Sequence, residues 1–215
     1  MSLRGWMLLT LAIAEIGWWF SPKSPHVPAI AAIANGANPH CPPPPRVVAG
    51  ATSPLQSPVP ASLSPFRLAA AQLQPLAGFS IDARVLSRED YSFGRESELS
   101  PTDLALGWGR MRDEAVLSRL EISQSSRWYH YQWTGEAPLP PAEIAQSSAN
   151  MHLIPSDATT AAALHGVRRG ERVRIDGWLV EATAPDGWRW RSSLSRSDTD
   201  AGACEIVYVC AITPL

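Results

Sequence analysis

Hydrophobic and polar positions alternate in three different ways along the chain. Gly5 to Phe20, GWMLLTLAIAEIGWWF, is apolar except for Thr10 and Glu15. Residues 21–66 show no period at all. From Arg67 onward, short stretches of period two and period 3.6 follow one another. Phe79, Ile81, Ala83 and Val85 alternate with Ser80, Asp82 and Arg84, the mark of a half-buried strand. Ser100-Pro101-Thr102-Asp103 reads as a helix start, with a serine cap, proline at the first helical position and an acid three residues on. It predicts a helix over 101–106, stopped by Gly107-Trp108-Gly109. A second short helix is expected over 112–120. The aromatic run RWYHYQW at 127–133 suits a strand, as does 150–154.

Ser156 or Asp157 caps a helix running to about Val167, and Arg168-Arg169-Gly170 closes it. Glu171 to Thr183 is a long strand, Pro185-Asp186-Gly187 a turn, and 188–194 its hairpin partner. A last, mostly apolar strand covers 205–212. These elements predict an α+β domain: five or six mostly antiparallel strands with about three short helices. The sheet is either open and covered by helices or closed as a small barrel like the OB fold. Gly177, in mid-strand, marks a bend or bulge of the kind such barrels use.

The first two regimes predict an address and a spacer. A membrane span needs about 20 apolar residues. Residues 1–20 are therefore a short anchor, with Trp18 and Trp19 at the interface, or a signal peptide cleaved near Ala32-Ile33-Ala34. The alternative is a buried helix of the domain itself. Residues 21–66 hold twelve prolines and only two charges, Lys23 and Arg46. Proline removes backbone donors and fixes φ, so a disordered, semi-rigid linker is expected here. The folded domain is then 67–215. This layout predicts a membrane-anchored or exported domain.

Composition narrows the function classes. The chain has 215 residues, 18% of them charged, and a formal charge of -2. Residues 67–215 carry 19 acidic against 15 basic side chains, a net of -4. A binder that relies on neutralising phosphates does not look like this. Arg168, Arg169, Arg172 and Arg174 still leave an OB-like nucleic-acid module as one alternative.

Three stretches resemble a family of uncharacterised bacterial proteins: YSFGRESELSPTDLALGWGRM (91–111), SSANMHLIP (147–155) and GWRWRSSLSRSDTDAGACE (187–205). Members have an apolar N-terminus, a Pro-rich spacer and one such domain. The resemblance implies the same layout here, with a bacterial inner-membrane or periplasmic location, and carries no activity, cofactor or catalytic residue. Asp198 and Asp200 around Thr199 depart from the family's Asp-Thr-Gly run.

Few residues suggest chemistry. Cys204 and Cys210 lie six apart in one strand, about 20 Å, too far for a disulfide. Cys41 could reach either in principle, but the linker composition gives no reason to expect a bond. Cys204 follows a Gly-Ala turn and is a candidate nucleophile, with His152 or His130 as its base. That pairing would make a thiol- or histidine-dependent hydrolase. Asn150 and His152 share one strand face, with Ser148 beside them, a set fit for a polar ligand. Trp188 and Trp190 share a face of the last hairpin and offer a stacking platform. No histidine pair has metal-binding spacing, and 198–202 lacks the remaining oxygens of a calcium loop, so no metal and no cofactor is expected. The absence of a strong catalytic constellation favours a non-catalytic domain that binds a partner protein or envelope component.

Overall fold

A computed structural model describes residues 3–19, 41–195 and 204–215. The expected cleavage site at 32–34 and the acidic turn at 198–202 lie outside them. The first element is a helix, α1 (Leu3–Trp19). At 1.5 Å per residue it is about 25 Å long, against about 30 Å of bilayer hydrocarbon. Among the described residues no helix is long and apolar enough to cross a membrane. Eight large apolar side chains of α1, from Trp6 to Trp18, are exposed, and none belongs to the domain core.

The domain is built on a mixed sheet. Its strands are β1 (Leu55–Ser57), β2 (Phe66–Arg67), β3 (Gln72–Asp90), β4 (Thr102–Gly107), β7 (Ser148–Pro155), β8 (Arg172–Thr183), β9 (Arg189–Arg191) and β10 (Glu205–Pro214). A separate hairpin, β5 (Glu121–Ser125) and β6 (Trp128–Gln132), is inserted between β4 and β7. Short helices α2 (Glu114–Leu117), α3 (Pro141–Gln146) and α4 (Ala158–Gly166) complete the α+β fold.

The nineteen-residue β3 organises the sheet. Residues 84–90 pair with β4, and residues 72–84 pair with β8. β4 then pairs with β7, β7 with β10 in parallel, and β10 with β8. The chain of pairings therefore returns to β3. Register shifts at Val85/Ser87, Pro75/Ala77 and Val209/Ala211 give the strands the extra bend that such a return demands. Pro75, which cannot donate to a ladder, stands at one of them. Gly177 faces Val209 at another, and a Cβ there would come within 2.3 Å of the Tyr208 carbonyl oxygen.

One face of this sheet is apolar; the other mixes apolar side chains with buried polar ones, Ser80, Asp82, Asp103, Asn150, His152 and Asp176. Phe79, Ile81, Leu104, Met151, Ile175 and Val207 belong to a core on one face, joined by Leu164 of α4. On the other face Leu73, Trp178, Ile206 and Tyr208 pack with Phe66 and Leu68. Also on that face, Ala105 is covered by the insertion through Met111, Leu139 and Ile144. The second face explains why residues 41–66 depart from the expected linker. Buried Val47 donates its backbone N–H to Ser80 Oγ at 2.9 Å, and β1 pairs with β3. The Trp178 indole donates to the Pro42 carbonyl at 2.9 Å. A disulfide joins Cys41 to Cys210, 169 residues apart. Residues 21–40 lie outside the described structure.

Two other expectations change. The helix expected over 101–106 is strand β4. Its local cap signal is overridden by pairing on both sides, with β3 and β7. The helix expected over 112–120 shrinks to a 3₁₀ turn, Gly109–Arg112, and α2. The helix at 158–166 forms as read, with Asp157 Oδ1 accepting the Thr160 N–H at 2.8 Å.

Candidate functional site

Period-two geometry puts Asp103, Asn150 and His152 on one face of the β4–β7 pair, with Asp103 directly opposite His152. All three are buried, Asp103 completely. A buried carboxylate needs compensating donors. Asp103 receives Arg127 Nη1 at 2.7 Å and Asn150 Nδ2 at 3.2 Å. The Ser100 hydroxyl lies 3.4 Å from it, and His152 Nδ1 lies 2.9 Å from its Oδ2.

The β5–β6 turn delivers Arg127. Ser126 and Arg127 both have positive φ, 51° and 70°, in a two-residue hairpin turn that usually takes Asn or Gly. Such backbone persists where the surroundings hold it. Here the Arg127 carbonyl accepts Asn150 Nδ2 at 2.9 Å, and Gln124 Nε2 donates to Asn150 Oδ1 at 2.6 Å. The backbone N–H of Arg127 donates to the Tyr91 phenol at 2.9 Å. Burial, with the Asp103 charge, pushes that phenol up to about 12, so it stays protonated and available as an acceptor.

An alternating series of rings and guanidiniums runs outward from this network. The Arg127 guanidinium carbon lies 3.8 Å over Tyr91 and 5.8 Å from the centre of the Trp190 ring. Trp190 packs 4.7 Å from His152 and 5.9 Å from Trp188. Arg95 lies 5.3 Å over Trp188. Beside Trp188, between the 3₁₀ turn Arg95–Glu98 and the β8–β9 turn, is a cleft of about 270 Å³. Arg95 pairs with Asp186 across it and, with the Trp188 backbone N–H, holds the Asp186 carboxyl below the usual range. Phe93, in the same loop as Arg95, is 86% exposed.

The structure brings some of the expected residues together and separates others. Asn150, His152 and Trp190 meet in one network, and Trp188 continues it. Ser148 lies further along β7, its hydroxyl donating to the Ile144 carbonyl at 2.7 Å. His130 is exposed on the hairpin, 3.4 Å from Ser125 Oγ. Cys204 is the one cysteine outside the disulfide, half-buried just before β10. Ile206 of β10 pairs with His152, and Cys204 lies two residues before it, outside the strand.

Asp103, Arg127, Tyr91 and Gln124 escaped the sequence reading. Thr102, Leu104 and Leu106 alternating with Asp103 and Ala105 was the available signal for a strand, and the apparent cap obscured it.

Among the described residues, no group of three or more His, Cys, Asp or Glu side chains is placed to hold a metal ion. No family model, curated protein or solved structure matches the chain.

Proposed function

We propose that this is an exported or membrane-anchored bacterial protein whose OB-like domain binds an envelope component or partner protein without catalysis. The order of pairing supports the OB-like reading. β3, β4, β7, β8 and β10 pair as first-second-third-fifth-fourth-first, the third and fifth are parallel, and α4 lies between third and fourth. OB folds bind ligands on the face of strands two and three and in the loops joining one to two and four to five. The observation that carries the binding role is that the ring-and-guanidinium series occupies this same place, spanning β4–β7, residues 91–101 and residues 184–191.

The disulfide supports an oxidising compartment. The exposed apolar side chains of α1 support an anchor or leader, because such a surface needs a lipid or protein cover. The arginines behind the nucleic-acid alternative are largely engaged elsewhere. Arg168 caps α4, Arg172 pairs with Asp82, and Arg174 pairs with Asp176.

The test is capture of an envelope extract by the immobilised, oxidised full chain, compared with a Phe93→Ala/Trp188→Ala variant. This reading expects one dominant component that the variant retains poorly. Equal retention by both proteins contradicts it.

The 2.9 Å approach of His152 Nδ1 to Asp103 Oδ2 favours a second reading, a thiol hydrolase with Cys204, although that nitrogen makes no hydrogen bond to the carboxylate. Against it, His152 is 2% exposed beneath Trp190. A hydrolase requires fast alkylation of Cys204 by iodoacetamide near neutral pH, lost on His152→Gln. A binding domain requires a slow reaction that rises with pH like an ordinary thiol and ignores that substitution.

A further inference from the structure

The chain between α1 and the domain ends at a covalent junction. Cys41, the first residue of the arm, is joined to Cys210 of β10, so residues 42–209 lie inside the loop that the disulfide closes. We propose that this disulfide is a redox-released catch on the domain's tether. While the bond is intact, tension from the anchor enters at β10 and the tether ends at residue 41. Once it is reduced, tension peels residues 42–65 from a sheet that stays folded, and the tether lengthens. The inference rests on the anchored reading above.

The sheet closes without the arm. β3, β4, β7, β10 and β8 pair in a ring, and β1 and β2 are added only along β3. The core on the Ile81 face holds no residue before Ala77. The arm is therefore a unit that opens locally while the ring persists.

The polar contacts of the arm come singly along the chain. In order they are the Pro42 carbonyl with the Trp178 indole, Arg46 with Asp176 at 3.3 Å, the Val47 amide with Ser80, the Gly50 amide with Asp82, and the three residues of β1. The Arg46 side chain is 57% exposed, where an ion pair adds little. Tension arriving from residue 41 meets these contacts one after another. By contrast, β3 is held along 72–90 by β8 and β4 together. The arm gives way first.

The bond is placed to open without disturbing a ladder. Cys210 is the extra residue of the register shift between Val209 and Ala211, so it has no partner on β8. Both cysteines are only half-buried, which admits an attacking thiolate. The reductant is a dithiol. Its thiolate attacks one sulfur of the bond, and its second thiol then displaces the mixed disulfide. Two electrons and two protons pass to Cys41 and Cys210, and the dithiol leaves as a disulfide. Residues 20–40 span at most about 75 Å, and residues 42–65 add at most about 85 Å. Reduction under load thus roughly doubles the reach of the domain.

The experiment stretches single full chains in detergent between a handle on Lys23, the chain's only lysine, and a click amino acid at position 93. Each pull is made on the oxidised chain and repeated after dithiothreitol. The proposal expects one rupture, that of the sheet, from the oxidised chain. The reduced chain should first lengthen by up to about 85 Å at a lower force, and shorten again on relaxation. Cys41→Ser/Cys210→Ser should show the early step without reductant. Arg46→Ala should lower the force of that step in the reduced chain and leave the sheet's rupture unchanged. Loss of arm and sheet in a single step after reduction overturns the proposal, as does an equal early step in the oxidised chain. An early step in a chain that fractionation finds unanchored leaves the catch standing and removes only the anchored reading.

Discussion

The guanidinium carbon of Arg127 lies 3.8 Å over the Tyr91 ring while the Arg127 backbone N–H donates to the same residue's phenol at 2.9 Å. One residue thus grips one ring twice, by charge and by backbone. The grip ties the β5–β6 turn to the loop after β3 and closes a lid of side chains over Asp103 and His152.

Arg127→Ala should destabilise the domain by about 2–4 kcal/mol, because it leaves a wholly buried carboxylate with weaker partners. Ser126→Asn should do the opposite, by about 0.5–1 kcal/mol, since asparagine tolerates the left-handed backbone that serine adopts there. Urea unfolding with unchanged slopes and displaced midpoints would bear out both. A neutral Arg127→Ala would show that the network contributes nothing net.

The disulfide should matter to the arm at 41–50 and to global stability. It closes a loop of 169 residues, and breaking it by Cys41→Ser/Cys210→Ser should cost about 2–4 kcal/mol. Hydrogen exchange should locate the loss. The Val47 and Gly50 amides, which donate to Ser80 Oγ and Asp82 Oδ2, should exchange faster in the variant than amides in mid-β8. Equal acceleration everywhere would mean that the arm and the sheet open together.

Acid should attack the same arm. Burial pushes the Asp82 carboxyl up, but bonds from Arg172 and the Gly50 amide, with the Arg172 and Arg112 charges, outweigh it and hold it below the usual value. Arg191 and Arg189 lower Glu181. A carboxyl that is lower in the folded state stabilises the fold above its unfolded value of about 4. That contribution disappears as pH falls through the folded value. Urea midpoints should therefore hold steady down to about pH 4 and drop below it. In Asp82→Asn the drop should be shallower, with a lower plateau at neutral pH.

Cell fractionation tests the role of α1. The tagged full chain should sediment with membranes or appear in the periplasm with a shortened mass. Replacing Leu8 and Leu11 with aspartate should move it to the cytosol. A cytosolic wild-type chain would contradict the proposed location.

How far the sequence could be read depended on whether a signal was local. Asp157 capping α4, the Arg172–Thr183 strand and the aromatic 128–132 strand each announce themselves within a few residues. The strand nature of 102–107 does not, because partners distant in sequence decide it. The arm at 41–66 was hidden for a similar reason. Its prolines disfavour helix and long ladders, which suggests a linker. Yet docking on the sheet needs only the short pairings of β1 and β2 with β3, buried Val47 and Phe66, the Pro42 carbonyl and one cysteine. Asn150 and His152 were legible by alternation alone. Asp103 and Arg127, which bind them together, come from segments that meet only in the folded chain.

The proposed binding end is tested most directly by a photo-crosslinking amino acid at Phe93, exposed in the same loop as Arg95, in intact cells. The control position is Thr213, near the chain's end on β10 and exposed. The account predicts a discrete adduct with an envelope component from position 93, reduced by Trp188→Ala, and none from position 213. No adduct from 93, or the same adducts from both positions, would contradict it.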